Sequence, residues 1–136
     1  MTVLVDTPIW SLLLRRQADD LTVHQQAQVR DLKEILAEGR ARLLGAVRQE
    51  LLSGVRYSQQ FARLQKELRG FPDVRLEVED YETAAEIGNA CRVHGVAGGL
   101  VDFLLCSVAL RRGWAIYTSD RDFERYAKYA PIVLFS

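Results

Sequence analysis

Residues 100–110 read LVDFLLCSVAL, an apolar stretch that carries a single carboxylate, Asp102. Apolar side chains would cover nearly every face of a helix with this sequence, so we expect the helix to be buried against a sheet. Arg111, Arg112 and Gly113 follow directly and are expected to end it, because glycine readily adopts the left-handed conformation found after helices. A helix buried in this way is typical of α/β folds.

Short apolar strands alternate with helices on both sides of this stretch. The patterns predict strands at residues 2–5, 43–44, 74–78, 114–118 and 131–135, and further helices starting at Thr7-Pro8 and covering about 22–38, 47–52, 61–68, 84–91 and 122–127. Thr7 is expected to cap the first of these helices. This alternation predicts a three-layer α/β/α domain with a central parallel sheet, in which functional sites lie beyond the carboxyl ends of the strands.

Length and composition favour one soluble domain that spans residues 1–136. The chain is 49% hydrophobic and carries 18 basic and 18 acidic side chains, and a chain of this size buries a core without disulfide bonds. We expect Cys91 and Cys106 to be buried free thiols, because they form no CxxC pattern. No apolar stretch approaches the roughly 18 residues of a membrane span, and the N-terminus lacks signal-peptide features. We therefore expect a cytoplasmic protein without membrane association.

A net charge of zero excludes a protein that coats nucleic acid by bulk electrostatic attraction. It leaves open an enzyme that holds a phosphate backbone at one local site. The chemistry of such a site therefore has to be sought in individual residues and their positions along the predicted sheet.

Four acidic residues fall at predicted strand ends or helix starts, where the topology brings them to one rim: Asp6, Glu50, Asp102 and Asp120. Each one alone also fits a structural role, as a turn residue, a helix cap or a first-turn acid stabilised by the helix dipole. Together they would repel one another by roughly 4 kcal/mol per pair at 4 Å in an effective dielectric of 20. The set therefore needs a neutralising cation.

A divalent metal ion is the expected cation, because the chain's lysines all fall on predicted exposed positions: Lys33, Lys66 and Lys128. Carboxylate oxygens favour Mg²⁺. His24 and His94 lie far apart in sequence and match no zinc-binding spacing. Carboxylates, water and open positions for substrate oxygens suit phosphoryl chemistry, which makes a nuclease the natural hypothesis.

Four segments in this order resemble the PIN-domain family, in particular the VapC-type toxins of bacterial toxin–antitoxin pairs. They are VLVDTPIW at 3–10, VRQELLSGVR at 47–56, GVAGGLVDFLLCSVALRRG at 95–113 and YTSDRDF at 117–123. The resemblance covers nearly the whole chain. It implies a ribonuclease that depends on Mg²⁺ or Mn²⁺, forms a homodimer and is inhibited by a cognate antitoxin.

Carried over position by position, the resemblance implies that Asp6, Glu50, Asp102 and Asp120 form the catalytic metal site. Asp122 matches a second acid of the last motif, which either assists the metal or only caps the following helix. Our hypothesis for the mechanism is that Asp6 and Asp102 bind the metal most directly, while Glu50 and Asp120 complete the pocket or hold a second ion. A metal-bound water would then attack an RNA phosphodiester.

Hydroxyl and guanidinium groups complete the predicted site. Thr7 and Thr118 are expected to support the carboxylates from behind. Four arginines close to the acids in sequence are candidates for holding the RNA: Arg15, Arg16, Arg48 and Arg121. Four apolar residues fit either a partner surface or the core: Ile9, Trp10, Leu13 and Leu32.

Three other readings compete with a nuclease. A receiver-like binding module would need a lysine at a late strand end, and none is found there. An aspartyl-nucleophile phosphatase would need a second acid two residues after Asp6, where Pro8 stands. The closest alternative is a non-catalytic PIN-type scaffold that acts by protein binding, and metal binding would distinguish it from the enzyme.

Overall fold

A computed structural model describes residues 1–136 as four strands and seven α-helices. In chain order the elements are β1 (Val3–Val5), α1 (Thr7–Leu14), α2 (Val23–Ala37), β2 (Ala41–Arg42), α3 (Gly45–Leu52), α4 (Ser58–Leu68), α5 (Val78–Val93), α6 (Leu100–Arg112), β3 (Ala115–Tyr117), α7 (Asp122–Tyr126) and β4 (Val133–Leu134). A single 3₁₀ turn covers Ala18–Asp20.

The four strands form one parallel sheet in the order β2-β1-β3-β4. Val3 of the central strand β1 stands opposite Ala41 on one side and Ala115 on the other. All carboxyl ends of the strands therefore point to one edge of the sheet, where Asp6 follows β1 and Thr118 follows β3. The parallel α/β architecture predicted from the sequence is confirmed.

The core surrounds β1 and α6. Every residue of β1 is buried, and α6 buries six of its thirteen residues. Among the four apolar residues considered for a partner surface, Ile9, Trp10 and Leu32 have no exposed surface and Leu13 packs against the core. The indole N–H of Trp10 donates to the carbonyl of Val5 at 3.0 Å. Core packing therefore accounts for this group.

The two cysteines are buried and free, as predicted, Cys91 in α5 and Cys106 in α6. The helix that contains Cys106 ends as the sequence indicates, with Gly113 in the left-handed conformation at φ 71°. None of the helices combines the length and apolar character that a membrane span requires.

The strand predicted at residues 74–78 is wrong, because the sheet does not extend to this segment. A single bridge joins Asp73 to Leu43, and the N–H of Val74 donates to the carbonyl of Leu43 at 3.0 Å. The carbonyl of Arg75 accepts from the guanidinium of Arg112 rather than from a neighbouring strand. Side chains thus hold this segment, and β2 itself lies two residues earlier than the sequence suggested.

Asp6, not Thr7, is the N-cap of α1. Its Oδ1 accepts from the N–H of Thr7 at 2.8 Å. Thr7 is already helical, and its hydroxyl is therefore free to donate to Glu50 of α3 at 2.7 Å. The cap places the Asp6 carboxylate at the edge of the sheet where the candidate site lies.

Candidate active site

The Asp6 carboxylate is held rigidly at the end of β1. Only 5% of the residue is exposed, and its Oδ2 accepts from the Thr118 hydroxyl at 2.8 Å while Oδ1 caps α1. Burial raises the pKa of Asp6 to about 6, although both hydrogen bonds favour the ionised form. The nearby charges of Asp102 and Glu50 raise that pKa further. A positive charge beside Asp6 would relieve this unfavourable environment.

Asp102 lies in the first turn of α6 and is half-buried. The hydroxyl of Tyr126 donates to its Oδ2 at 2.8 Å, and no donor contacts Oδ1. Burial raises the pKa of Asp102, and the charges of nearby acids, Asp120 first among them, add to the shift. One oxygen of this carboxylate is therefore positioned by the protein and the other is free for a ligand.

Glu50 and Asp120 occupy the outer part of the same rim. Glu50 is exposed and is tied to α1 by the hydrogen bond from Thr7. The N–H of Asp120 donates to the Thr118 hydroxyl at 3.0 Å, which joins the loop after β3 to the group that holds Asp6. Both Thr7 and Thr118 thus support the acids, as the sequence suggested.

Asp122 has a different environment from the other acids of its loop. Its N–H donates to Asp120 Oδ1 at 2.9 Å, and its carboxylate forms an ion pair with Arg125 at 3.2 Å. Asp122 is also the first residue of α7. These contacts favour a role at the start of the helix, while its charge still acts on Asp102.

The acids interact electrostatically, but their side chains do not converge on one point. Glu50 raises the pKa of both Asp6 and Asp102, and no arginine, lysine or histidine forms an ion pair with any of the four predicted site acids. No group of three or more His, Cys, Asp or Glu side chains forms a ready-made metal cluster. The set is nevertheless chemically suited to Mg²⁺, which takes oxygen ligands, retains several waters and needs only one or two carboxylates.

Arg48 does not belong to the rim, contrary to the sequence-based prediction. Its Nε forms an ion pair with Asp73 at 2.8 Å, and its other nitrogens donate to the carbonyls of Leu68 and Phe71. The guanidinium therefore links α3 to the chain that follows α4. The other three arginines proposed for RNA binding, Arg15, Arg16 and Arg121, are exposed.

Sequence reasoning missed Tyr126 as a residue of the site. Tyr126 has no exposed surface and packs against Phe103 and Phe123, with ring centroids 5.1 Å apart in both pairs. An aromatic residue in a short helix indicates only core packing. The contact of its hydroxyl with Asp102 depends on how α7 packs against α6.

Comparison with known proteins identifies the fold. The family model described as "PIN domain" matches residues 3–129. The fold is shared with FitAcB from Neisseria gonorrhoeae, with a TM-score of 0.78, 18% identity and coverage of 99% of this chain and 97% of that one. Comparison with curated protein sequences finds no match.

Two further solved structures have similar folds. VapBC2 from Rickettsia felis, bound to a DNA fragment from their promoter, gives a TM-score of 0.73 at 15% identity and coverage of 99% and 98% of the two chains. DNA-bound VapBC from Salmonella typhimurium gives 0.72 at 18% identity and coverage of 99% and 97%. At these identities the likeness is one of fold.

Proposed function

We propose, because this chain belongs to the PIN domain family, that it is a metal-dependent endoribonuclease and the cytoplasmic toxin of a toxin–antitoxin pair. PIN domains are generally nucleases. The observation that carries the proposal is the group of four carboxylates without a cationic partner at the carboxyl edge of the sheet. Four like charges at one edge repel one another, and a bound cation would relieve that repulsion.

The metal proposed for this site is Mg²⁺, with Mn²⁺ as the alternative. Asp6 and Asp102 would hold it most directly, and Glu50 and Asp120 would complete the pocket or hold a second ion. When bound, the ion activates water for attack on an RNA phosphodiester and stabilises charge on the leaving oxygen.

The protein's own contribution is to fix the carboxylates before substrate arrives. Thr118 holds Asp6 and Tyr126 holds Asp102, each through one hydroxyl at 2.8 Å. Carboxylate oxygens each have two acceptor sites, so these bonds leave room for a further ligand. Support of this kind from behind a ligand sets its orientation and typically matters tenfold or more for metal affinity or activity.

An antitoxin partner and a homodimer belong to the same proposal. Solved structures with this fold include VapBC complexes, and the sequence motifs resemble VapC-type toxins. We expect the antitoxin to cover the four carboxylates and so block access of RNA to them.

Cleavage of a total small-RNA pool tests the function. Purified protein is incubated with Mg²⁺, with EDTA, and as the variants Asp102→Asn and Asp73→Asn. Asp73 is a matched control, because it is an aspartate with an ion-pair partner outside the site. Discrete fragments that require Mg²⁺ and disappear only in Asp102→Asn are the expected result.

Two other results would contradict the proposal. Full activity of Asp102→Asn would exclude this carboxylate site. Absence of both cleavage and Mg²⁺ binding, measured by calorimetry on the antitoxin-free protein, would favour the non-catalytic binding scaffold.

A further inference from the structure

A polar groove of about 650 Å³ adjoins the carboxylates on the side of α1 and α2. Thr118 connects the two regions, because its hydroxyl donates to Asp6 Oδ2 and its side chain also lines the groove. One wall comes from α1, whose N-cap is Asp6, and the other from Ser119 and the start of α7. The groove is therefore directly continuous with the position of Asp6.

The groove has the opposite charge from the rim beside it. Arg16 and Arg121 line it, both are exposed, and neither guanidinium group forms an ion pair or a hydrogen bond within the protein. Glu124 is the only acid in the lining. Two free guanidinium groups thus lie next to a site that would otherwise repel a polyanion.

Neutral hydrogen-bonding groups lie between the two arginines. The side chains of Ser11, Gln28 and Ser119 line the groove and have no hydrogen-bond partner in the protein. In contrast, Thr22 and Gln25 are already engaged in the capping box of α2. Hydroxyl, amide and guanidinium groups are the usual donors to phosphate and sugar oxygens of nucleic acids.

We propose that this groove binds the backbone of the RNA strand next to the cleaved phosphodiester, with Arg16 and Arg121 contacting its phosphates. The inference rests on the proposed ribonuclease function and adds a path for the substrate. An acid-lined metal site attracts one phosphate through its cation, whereas the neighbouring phosphates need fixed positive charge. Guanidinium groups supply it and can bind phosphate oxygens in pairs.

Binding of a fluorescein-labelled single-stranded 20-nucleotide RNA of mixed sequence tests the groove. Affinity is measured by anisotropy with Mg²⁺ over a range of NaCl concentrations, in the Asp102→Asn background so that the RNA stays intact. Each single-stranded phosphate contact contributes about 0.7 to the slope of log K against log salt, or about fivefold in affinity at 0.1 M salt. Arg16→Ala and Arg121→Ala should each show this loss, and the double variant about 25-fold.

Three further variants sharpen the result. Arg69→Ala removes an exposed, unpaired arginine outside the groove, beyond the end of α4, and should change neither affinity nor slope. Arg16→Lys and Arg121→Lys keep the charge and should retain most of the salt slope. Affinity and slope equal to those of the parent in the double alanine variant would overturn the inference.

Cleavage separates failure of the groove from failure of the function. If the wild-type chain cleaves RNA and the double alanine variant binds RNA with unchanged affinity, the proposal for the groove is overturned and the proposal of a ribonuclease stands. If the wild-type chain neither cleaves nor binds RNA, both proposals are overturned. Cleavage by wild type with weaker RNA binding in the double variant supports both.

Discussion

The hydroxyl of Tyr126 donates a hydrogen bond to Oδ2 of Asp102 at 2.8 Å, across 24 residues of sequence. The tyrosine ring is fully buried between Phe103 and Phe123. Because packing fixes the ring, it also fixes the hydroxyl, and the hydroxyl in turn fixes one oxygen of the carboxylate. A core residue of α7 thereby sets the orientation of an acid at the start of α6.

Tyr126→Phe should weaken the enzyme more than it weakens the fold. Removing the hydroxyl costs about 1 kcal/mol of stability, whereas loss of support for Asp102 should lower RNA cleavage about tenfold and raise the Mg²⁺ concentration for half-maximal rate. Tyr129→Phe is the matched control, because Tyr129 stacks on His94 and its hydroxyl forms no hydrogen bond within the protein. An unchanged Mg²⁺ requirement in Tyr126→Phe would show that the contact is only structural.

Gly98→Ala should also disrupt the hydrogen bond between Tyr126 and Asp102. A Cβ at this position would lie 2.6 Å from both the Tyr126 hydroxyl oxygen and Phe103 Cζ, so the tyrosine would have to move. We expect a loss of about 1–3 kcal/mol in stability and a marked fall in cleavage. A Cβ at Gly99 would have no other atom within 4 Å, so Gly99→Ala should lower the stability by less than about 1 kcal/mol. If Gly98→Ala and Gly99→Ala lower cleavage equally, the close approach of Gly98 to Tyr126 has no special role in the site.

Patterning along the chain was sufficient for β1, β3 and α6, because burial within the core leaves a local apolar signature. The extended run at 74–78 shows the limit of that signature. Its alternation is real, with Val74 and Leu76 half-buried and Arg75 and Glu77 exposed. Strand formation also needs a neighbour with free backbone groups, and only Leu43 supplies one.

The sequence indicated that the hydroxyls of Thr7 and Thr118 support the acids, but it did not indicate the contact between Tyr126 and Asp102. Asp6 and Asp102 stood out because they end a strand and interrupt an apolar helix. Tyr126 and Arg48 carry no such mark, since an aromatic residue and an arginine in helices have many ordinary roles. Their partners, Asp102 and Asp73, are brought to them only by tertiary packing.

Asp6→Asn should stabilise the metal-free protein at pH 7. The carboxyl has a pKa of about 6 in the folded chain, against 3.8 for an unperturbed group, so its ionised form costs about 3 kcal/mol of stability above pH 6. Wild type takes up a proton on folding between pH 6 and 4, and the advantage of the variant should shrink over that range and vanish below pH 4. Asparagine can still cap α1 through its side-chain oxygen.

Urea unfolding in EDTA between pH 3.5 and 8 measures this difference. Asp19→Asn, an exposed aspartate in the 3₁₀ turn, should show no such trend. Added Mg²⁺ should stabilise wild type and leave Asp6→Asn nearly unchanged, because a ligand that binds only the folded state raises its stability. A variant less stable than wild type at pH 7 in EDTA would contradict the proposed electrostatic cost.

Asp80→Asn should be among the most destabilising conservative substitutions in the chain. The Asp80 carboxylate has no exposed surface and accepts from Arg111 at 2.6 Å and from Arg112 at 2.7 and 2.9 Å, which holds α5 against the end of α6. Hydrogen bonds from Arg112 hold the pKa of Asp80 well below its usual range. Removing one partner of a buried pair costs about 3 kcal/mol.

The pH dependence of Asp80→Asn should run opposite to that of Asp6→Asn. A lowered folded-state pKa stabilises the protein above pH 4, and this contribution is lost as the pH falls further, so the deficit of the variant should narrow in acid. Asp73→Asn removes a half-exposed partner of Arg48 and should cost less than about 1 kcal/mol. Urea unfolding of both variants at pH 7 and pH 3 makes the comparison. A cost for Asp80→Asn no larger than that for Asp73→Asn would mean that the buried ion pair does not hold α5 to α6.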